Sequence, residues 1–257
     1  MIARLDKPES DTKMDMDNRV FAHRGLNTLA PENTMAAFRK VVEHGLNWIE
    51  TDVDILGDGT VIICHDTTLD RTTNKSGGYY GLTATDLESI DAGSWFSPEF
   101  AGEKLPTLHQ LVDFMNETGL NANIEIKSNE AGAAMTRQLI KAVIKELGRL
   151  NGPEVIVSCF NHVLLSEFHA LAPEIPLGCL YETCALYDDW RSVLELVGAS
   201  YIHPEDTGLT REKVRAFRDA GFGVNVWTVN SLARANELFN WGATGIFTDV
   251  AHLIPRR

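Results

Sequence analysis

The stretch WIETDVDILGDGTVIICHD, residues 48–66, decides the fold. It opens on an alternating run, WIETDVDI (48–55), whose period of two puts Glu50, Asp52 and Asp54 on one face and Thr51 and Val53 on the other. The turn LGDGT that follows is hairpin chemistry. VIICHD (61–66) should therefore fold back antiparallel on the first run and return His65 to the neighbourhood of Asp52. A strand with acids along one face needs a setting that tolerates them. The C-terminal mouth of a parallel β/α barrel, where polar residues late in each strand converge, is such a setting.

Working outward, the run is one of eight short apolar stretches: RVFAH (19–23), WIETDVDI (48–55), ANIEIK (122–127), VIVSCF (155–160), LGCLYE (177–182), YIHP (201–204), GVNVWTV (223–229) and GIFTD (245–249). Segments of helical period alternate with them. In TMAAFRKVVEHG (34–45), Met35, Phe38, Val41 and Val42 fall on one face and Gly45 can close the C-terminus. AAMTRQLIKAVIKELG (133–148), HVLLSEFHAL (162–171), REKVRAFRDAG (211–221) and SLARANELFNWG (231–242) read the same way. Strict alternation predicts a parallel sheet, and eight units predict an α/β protein of the (β/α)8 TIM barrel class. An open doubly wound sheet is the alternative, but no GxGxxG turn supports it.

The interval after the second barrel strand breaks the rhythm. The stretch TTLDRTTNKSGGYYGLTATDLESIDAGSWFSPEFAGEKLPTL (67–108), rich in Gly and Ser with scattered aromatics, is an excursion of the length that usually forms a functional lid or cap. Residues 1–17 read as a flexible N-terminal extension, leaving 18–257 as one barrel domain. The length of 257 residues suits a single barrel, and 44% hydrophobic residues suffice for a core. The N-terminal stretch is charged and has no apolar signal region, so a cytoplasmic location is expected. A formal charge of −13 disfavours nucleic acid and stable association with an anionic membrane. The four cysteines, Cys64, Cys159, Cys179 and Cys184, are too scattered for a disulfide framework and read as reduced core thiols. Exposed barrel helices could support a homodimer, although no heptad or apolar stripe argues for one.

At the mouth, His23 ends the first strand, Glu50 and Asp52 lie on the second, and Glu125 and Lys127 share a face of the third. Three converging carboxylates repel unless a cation joins them. Salt bridges alone would need more cations than Arg24 and Lys127 supply. All-oxygen ligation points to one hard divalent cation, Mg2+ or Ca2+, rather than zinc. Asp54, beside the turn, is expected to be solvated.

His23 and His65 each end an apolar run and precede a charged residue, and imidazole is suited to acid–base work near neutral pH. His203, late in YIHP, stands where it could line the pocket, whereas His44, His109, His162, His169 and His252 read as structural. Arg24 and Lys127 would let an acidic chain bind a phosphate locally. The set fits phosphoryl transfer; a sugar isomerase would have no use for Arg24 at this place.

HRG (23–25), PENT (31–34), ETDV (50–53), DGTVIICHD (58–66), LDRTTN (69–74), DAGSWFSPEF (91–100), LPTL (105–108), IEIK (124–127), VWTVN (226–230) and FTD (247–249) occur in order along the chain. Together they resemble the motifs of the glycerophosphodiester phosphodiesterases. The resemblance implies a β/α barrel that carries a small insertion, residues 67–105, and hydrolyses glycerophosphodiesters to sn-glycerol 3-phosphate and an alcohol. It implies Glu50, Asp52 and Glu125 as ligands of the divalent cation, and His23 and His65 as the acid and base. Arg24 and Lys127 would hold the phosphate, and Trp227 would wall the glycerol side. Glu32 and Asn33 would support the site, with Asn33 also placed to cap the helix that begins near Thr34. NKSGGYYGLT (74–83) departs from the family wording and leaves the head-group side open. Two rivals remain at this point: a phospholipase-type relative acting on lipid head groups, which would carry an apolar rim, and a non-catalytic phosphodiester-binding barrel with a broken site.

Overall fold

Backbone pairing turns each of the eight apolar runs into a strand and adds the short hairpin strand. The elements of this computed structural model, which describes residues 18–255, are β1 (Arg19–His23), α1 (Met35–Glu43), β2 (Trp48–Ile55), β3 (Val61–Ile63), α2 (Leu108–Thr118), β4 (Asn121–Ile126), α3 (Ala133–Leu147) and β5 (Val155–Cys159). They continue with α4 (His162–Leu171), β6 (Leu177–Tyr181), α5 (Trp190–Val197), β7 (Tyr201–Pro204), α6 (Arg211–Asp219), β8 (Gly223–Val226), α7 (Leu232–Trp241) and β9 (Gly245–Thr248). The sheet runs β1-β9-β8-β7-β6-β5-β4-β2-β3, and a β1–β2 pairing closes it. All pairs are parallel except β2 with β3. The expected α/β barrel is therefore present, and α2 and α5 complete the alternation beyond the helices legible in the sequence. The expected extension, 1–17, lies outside the described residues.

One register detail positions the site. β1 pairs with β2 only as far as His23 opposite Glu50, and beyond that point β3 takes over the same edge, with Val53 opposite Ile63 and Ile55 opposite Val61. The Cys64 amide then donates to the Asp52 carbonyl at 3.1 Å. The returning strand thus brings His65 down toward the end of β1, as hairpin chemistry predicts.

Period two sorts each strand into a barrel-inward and a helix-facing set. Helix-facing Ala22, Ile49, Val53, Ile124, Val157 and Cys179 are fully buried against α1 to α4. Inward, Phe21, Trp48, Ile156 and Phe247 pack as an aromatic-rich floor, with Phe21 stacked on Phe247 at 4.6 Å and edge-on to Trp48 at 5.1 Å. Two residues further along the same strands come His23, Glu50, Ser158 and Asp249. The apolar floor therefore lies below and the polar groups above. His203, also inward, is fully buried, and its ring fills the space over Gly178, where a Cβ would fall 2.3 Å from the imidazole.

Thr34 caps α1 by accepting from the Ala37 amide at 3.3 Å. This corrects the expectation for Asn33. With φ of +55°, Asn33 turns its amide inward to donate to Asp52 Oδ2 at 2.8 Å and accepts from the Thr51 hydroxyl at 2.8 Å.

Between β3 and α2 the chain forms two short 3-10 turns, Ala84–Ser89 and Pro98–Phe100, around a small apolar cluster that includes Leu56, Ile62, Cys64, Leu69, Tyr79 and Leu105. Asp54 explains how this segment is held, and corrects the expectation of a solvated carboxylate. It is fully buried and accepts from Tyr79 Oη at 2.9 Å, Tyr80 Oη at 2.8 Å, Asn129 Nδ2 at 2.9 Å and the Ile55 amide at 2.8 Å. Two tyrosines from NKSGGYYGLT (74–83) satisfy a carboxylate that burial would otherwise penalise. Of the cysteines, Cys64, Cys159 and Cys179 are buried free thiols, whereas Cys184, in the loop after β6, is exposed and is no core thiol. Among the described residues no helix is long and apolar enough to cross a membrane.

Candidate active site

The chain leaves β1 through a tight turn in the left-handed region of the backbone. Arg24 has φ of +56° and Gly25 of +81°, and a Cβ at Gly25 would lie 2.7 Å from Ala37 Cβ on α1. This tight turn aims the Arg24 amide at Glu50 Oε2, 3.1 Å away, and sends its guanidinium over β2. Arg24 Nη1 donates to Glu32 Oε1 at 2.8 Å, and Nε sits 3.6 Å from Asp52 Oδ2, buried and without a hydrogen-bond partner.

Glu50, Asp52 and Glu125 converge so that one carboxylate oxygen from each lies within 4.8 Å of the others. Such a cluster could hold a metal ion. Lys127 Nζ reaches into it, 2.8 Å from Glu125 Oε1 and 3.4 Å from Asp52 Oδ1. The protein's own cations compensate the acids unequally. For Asp52, burial is outweighed by Lys127 and Arg24, and its carboxyl is held well below the usual range. Burial, reinforced by Asp52, pushes Glu50 up to about 8, and raises Glu125 as well. A site whose carboxylates cannot all ionise by themselves is short of positive charge. A hard divalent cation fits that donor set, since every ligand atom is oxygen.

Two histidine–carboxylate pairs flank the acids. His23 Nδ1 lies 2.7 Å from Asp249 Oδ1, leaving Nε2 on the Glu50 side at 3.9 Å. Asn27 and Asn230 both donate to Asp249 at 2.6 Å. His65 Nδ1 lies 2.7 Å from Asp66 Oδ1. Arg71 binds Asp66 through Nε at 2.7 Å and Glu32 through Nη1 at 2.8 Å, so one arginine of the inserted segment ties the two loops together. Burial acts to lower both rings. For His23 the hydrogen bond with Asp249 and the charge of Glu50 more than compensate, and it ends above its ordinary value. For His65 the charge of Asp52 and the hydrogen bond with Asp66 do not, because Lys127 and Arg24 add to the burial effect, and it ends below.

His23, Arg24, Glu50, His65, Glu125, Lys127 and Trp227 all line one cavity of about 360 Å3, with Asp52 beneath. Trp227 donates Nε1 to the His203 carbonyl at 2.9 Å and stands against Phe160, rings 5.6 Å apart and nearly perpendicular. His203 itself does not join: it accepts from Asn225 Nδ2 at 3.1 Å inside the barrel, and burial pushes its pKa down to about 3. Asp249 and Arg71 escaped the sequence reading of the site. Asp249 could have been found by its period-two spacing from inward Phe247. Arg71 sits in an irregular segment, where no periodicity points inward.

The family model for the glycerophosphoryl diester phosphodiesterase family matches residues 23–253. The chain belongs to that family. A glycerophosphodiester phosphodiesterase of Caldanaerobacter subterraneus subsp. tengcongensis is 35% identical over 91% of this chain and 95% of its own, and one of Bacillus subtilis is 34% identical over 91% and 84%. Among solved structures, an Oleispira antarctica phosphodiesterase in complex with the product sn-glycerol-3-phosphate superposes with a TM-score of 0.87 at 31% identity, covering 93% of this chain and 95% of that one. Membership bears out the barrel and makes the chain an enzyme, a phosphodiesterase; the reading as a non-catalytic barrel falls away.

Proposed function

We propose that the enzyme hydrolyses glycerophosphodiesters to sn-glycerol 3-phosphate and an alcohol, with one divalent cation, Mg2+ or Ca2+, held by Glu50, Asp52 and Glu125. The observation that carries this reading is the pair of carboxylate-backed histidines facing one cavity with the three acids. A bound cation would supply Lewis-acid polarisation of the phosphodiester oxygens. Arg24 and Lys127 offer N–H donors to those oxygens and neutralise charge as it builds. Trp227 walls the organic part of the substrate and limits water around it.

The two rings divide the proton work. His65, kept neutral by burial and its cationic neighbours, takes the proton from water as its oxygen attacks phosphorus. Where the substrate's own glycerol hydroxyl attacks instead, His65 takes that proton and water opens the resulting cyclic phosphate to sn-glycerol 3-phosphate in a second step. His23, kept protonated by Asp249, gives its Nε2 proton to the alkoxide as the phosphorus–oxygen bond to the alcohol breaks. Asp66 and Asp249 each take a ring Nδ1–H, which leaves Nε2 free for transfer. Residues 67–105 form the insertion, supported by their small apolar cluster and tied to the site through Arg71 and Asp54. A cytoplasmic location is supported by the three buried, unpaired thiols.

The test is product release by His23→Ala and His65→Ala on two diesters, one with an ordinary alcohol and one with p-nitrophenol. Loss of the acid should matter far less when the leaving group needs no proton, so His23→Ala should recover most of its activity on the nitrophenyl diester and His65→Ala should not. Equal losses on both substrates for both variants would refute the division of roles.

A further inference from the structure

No residue from 67 to 105 lines the catalytic cavity, so the segment between β3 and α2 does not act there as a cover. Its reach to the chemistry runs through one side chain. We propose that Arg71 is a positioning residue, whose guanidinium sets the His65 ring through Asp66 and the Arg24 side chain through Glu32. Base and phosphate clamp are then assembled together, and only when this segment is packed. The proposal rests on the diesterase reading and deepens it.

Arg71 forks onto two carboxylates at once. Side-on, Nε and Nη2 donate to Asp66 Oδ2 at 2.7 Å and Oδ1 at 3.0 Å; end-on, Nη1 and Nη2 donate to Glu32 Oε2 and Oε1, both at 2.8 Å. A planar guanidinium can make both pairs of bonds, and an ammonium cannot. Two of the same oxygens face the catalytic groups. Asp66 Oδ1 also meets His65 Nδ1 at 2.7 Å, and Glu32 Oε1 also accepts from Arg24 Nη1 at 2.8 Å. His65, Asp66, Arg71, Glu32 and Arg24 thus form one continuous chain from the base to the phosphate clamp.

The two histidines differ in how their carboxylates are held. Asp249, behind His23, has Asn27 and Asn230. Asp66, behind His65, receives only Arg71 besides the ring among the described residues, and Arg71 above all holds its carboxyl below the usual range. Without Arg71, Asp66 is free to turn from the ring, and Glu32 keeps no second partner to fix it against Arg24. Arg24 Nε, unpartnered and 3.6 Å from Asp52 Oδ2, then has acids of the site to collapse onto.

Arg71 is itself anchored from inside the segment. Leu69, two residues earlier, is buried in the small apolar cluster, its amide donating to the Gly77 carbonyl at 3.0 Å and its carbonyl accepting from the Thr73 hydroxyl at 2.7 Å. The Arg71 side chain remains 44% exposed, so a small cation can enter where it is removed.

The experiment measures kcat and KM for wild type, Arg71→Ala and Arg71→Lys on a glycerophosphodiester of an ordinary alcohol and on one of p-nitrophenol, with thermal unfolding of each variant as the check on folding. Arg71→Ala should lower kcat roughly ten- to hundredfold through His65 and raise KM through Arg24. The loss should be equal on both diesters, as loss of the base is and loss of the acid is not. Arg71→Lys, which keeps the charge without the fork, should recover little. Ethylguanidinium should restore kcat to Arg71→Ala and ethylammonium at the same concentration should not, and in a His65→Ala background Arg71→Ala should cost no further kcat.

An Arg71→Ala enzyme with kcat and KM within about twofold of wild type would overturn the proposal, as would full activity in Arg71→Lys or an equal response to the two added cations. If Arg71→Ala does not fold, Arg71→Lys decides alone: a loss of kcat at unchanged unfolding temperature supports the proposal, and full activity or a loss that tracks unfolding overturns it. A wild-type enzyme that releases sn-glycerol 3-phosphate from neither diester would overturn the diesterase reading and the proposal together; an active wild type beside an unaffected Arg71→Ala would overturn the proposal alone.

Discussion

Asp249→Asn isolates the contribution of the His23 dyad. The carboxylate lies 2.7 Å from His23 Nδ1 and is held in place by Asn27 and Asn230, each at 2.6 Å. Burial tends to raise Asp249, but the hydrogen bonds from His23 and Asn27 overcome it and hold the carboxyl well below its usual range, so it is ionised at working pH. The asparagine keeps the shape and loses the charge. A hydrogen bond to a charged group contributes about 1.5–3 kcal/mol, which at about 1.4 kcal/mol per factor of ten predicts a fall in kcat of roughly ten- to 150-fold. The sign of the pH effect also follows. Asp249 lifts His23, so without its charge His23 loses its proton at lower pH. The alkaline limb of the kcat profile should move down in pH, while the acid limb, set by His65, stays in place. The assay is product release from a glycerophosphodiester across pH, at saturating cation. A variant with wild-type kcat and an unmoved alkaline limb would refute the coupling of Asp249 to the acid.

Three other outcomes follow from the same geometry. Tyr79→Phe removes one donor from buried Asp54, and should lower unfolding stability by about 1.5–3 kcal/mol in a urea titration; a change under about 0.5 kcal/mol would contradict the clamp. Without the divalent cation, Glu50 is raised from the usual 4.5 to about 8, so its contribution to stability is complete below 4.5 and is lost as pH rises through 8. Melting temperatures with chelator and with added Mg2+ or Ca2+ should diverge over that window, the cation stabilising more at pH 8 than at pH 5. Cys184 alone should react quickly with a thiol reagent in the native protein, and all four cysteines after denaturation; rapid reaction of a second thiol would place Cys64, Cys159 or Cys179 nearer the surface than the barrel allows.

How far the sequence discloses this protein depends on periodicity. The eight strands, the hairpin and the convergence of Glu50, Asp52 and Glu125 all follow from period two and a Gly-containing turn, which are local rules. The fate of Asp54 does not. It shares the face of Glu50 and Asp52 and lies beside the turn, yet donors distant in sequence, Tyr79, Tyr80 and Asn129, bury it. His203 lies late in its strand, next to Pro204, much as His23 ends β1, but Gly178 on the neighbouring strand opens a space that takes its ring into the interior. Asn33 reads as a cap until its positive φ turns the amide toward Asp52. In each case a long-range partner overrides a sound local expectation. Arg71 shows the same limit from the other side, because the two carboxylates it joins belong to separate loops.

The central claim is that Glu50, Asp52 and Glu125 hold a divalent cation on which diester hydrolysis depends. The most direct test is release of sn-glycerol 3-phosphate from glycerophosphocholine and glycerophosphoethanolamine by chelator-treated enzyme, with Mg2+ or Ca2+ returned, beside Glu50→Ala treated in the same way. The account predicts no release after chelation, recovery with at least one of the two ions, and no recovery in the variant. Full activity in the presence of chelator, or a Glu50→Ala enzyme that responds to the ion as the wild type does, would contradict it.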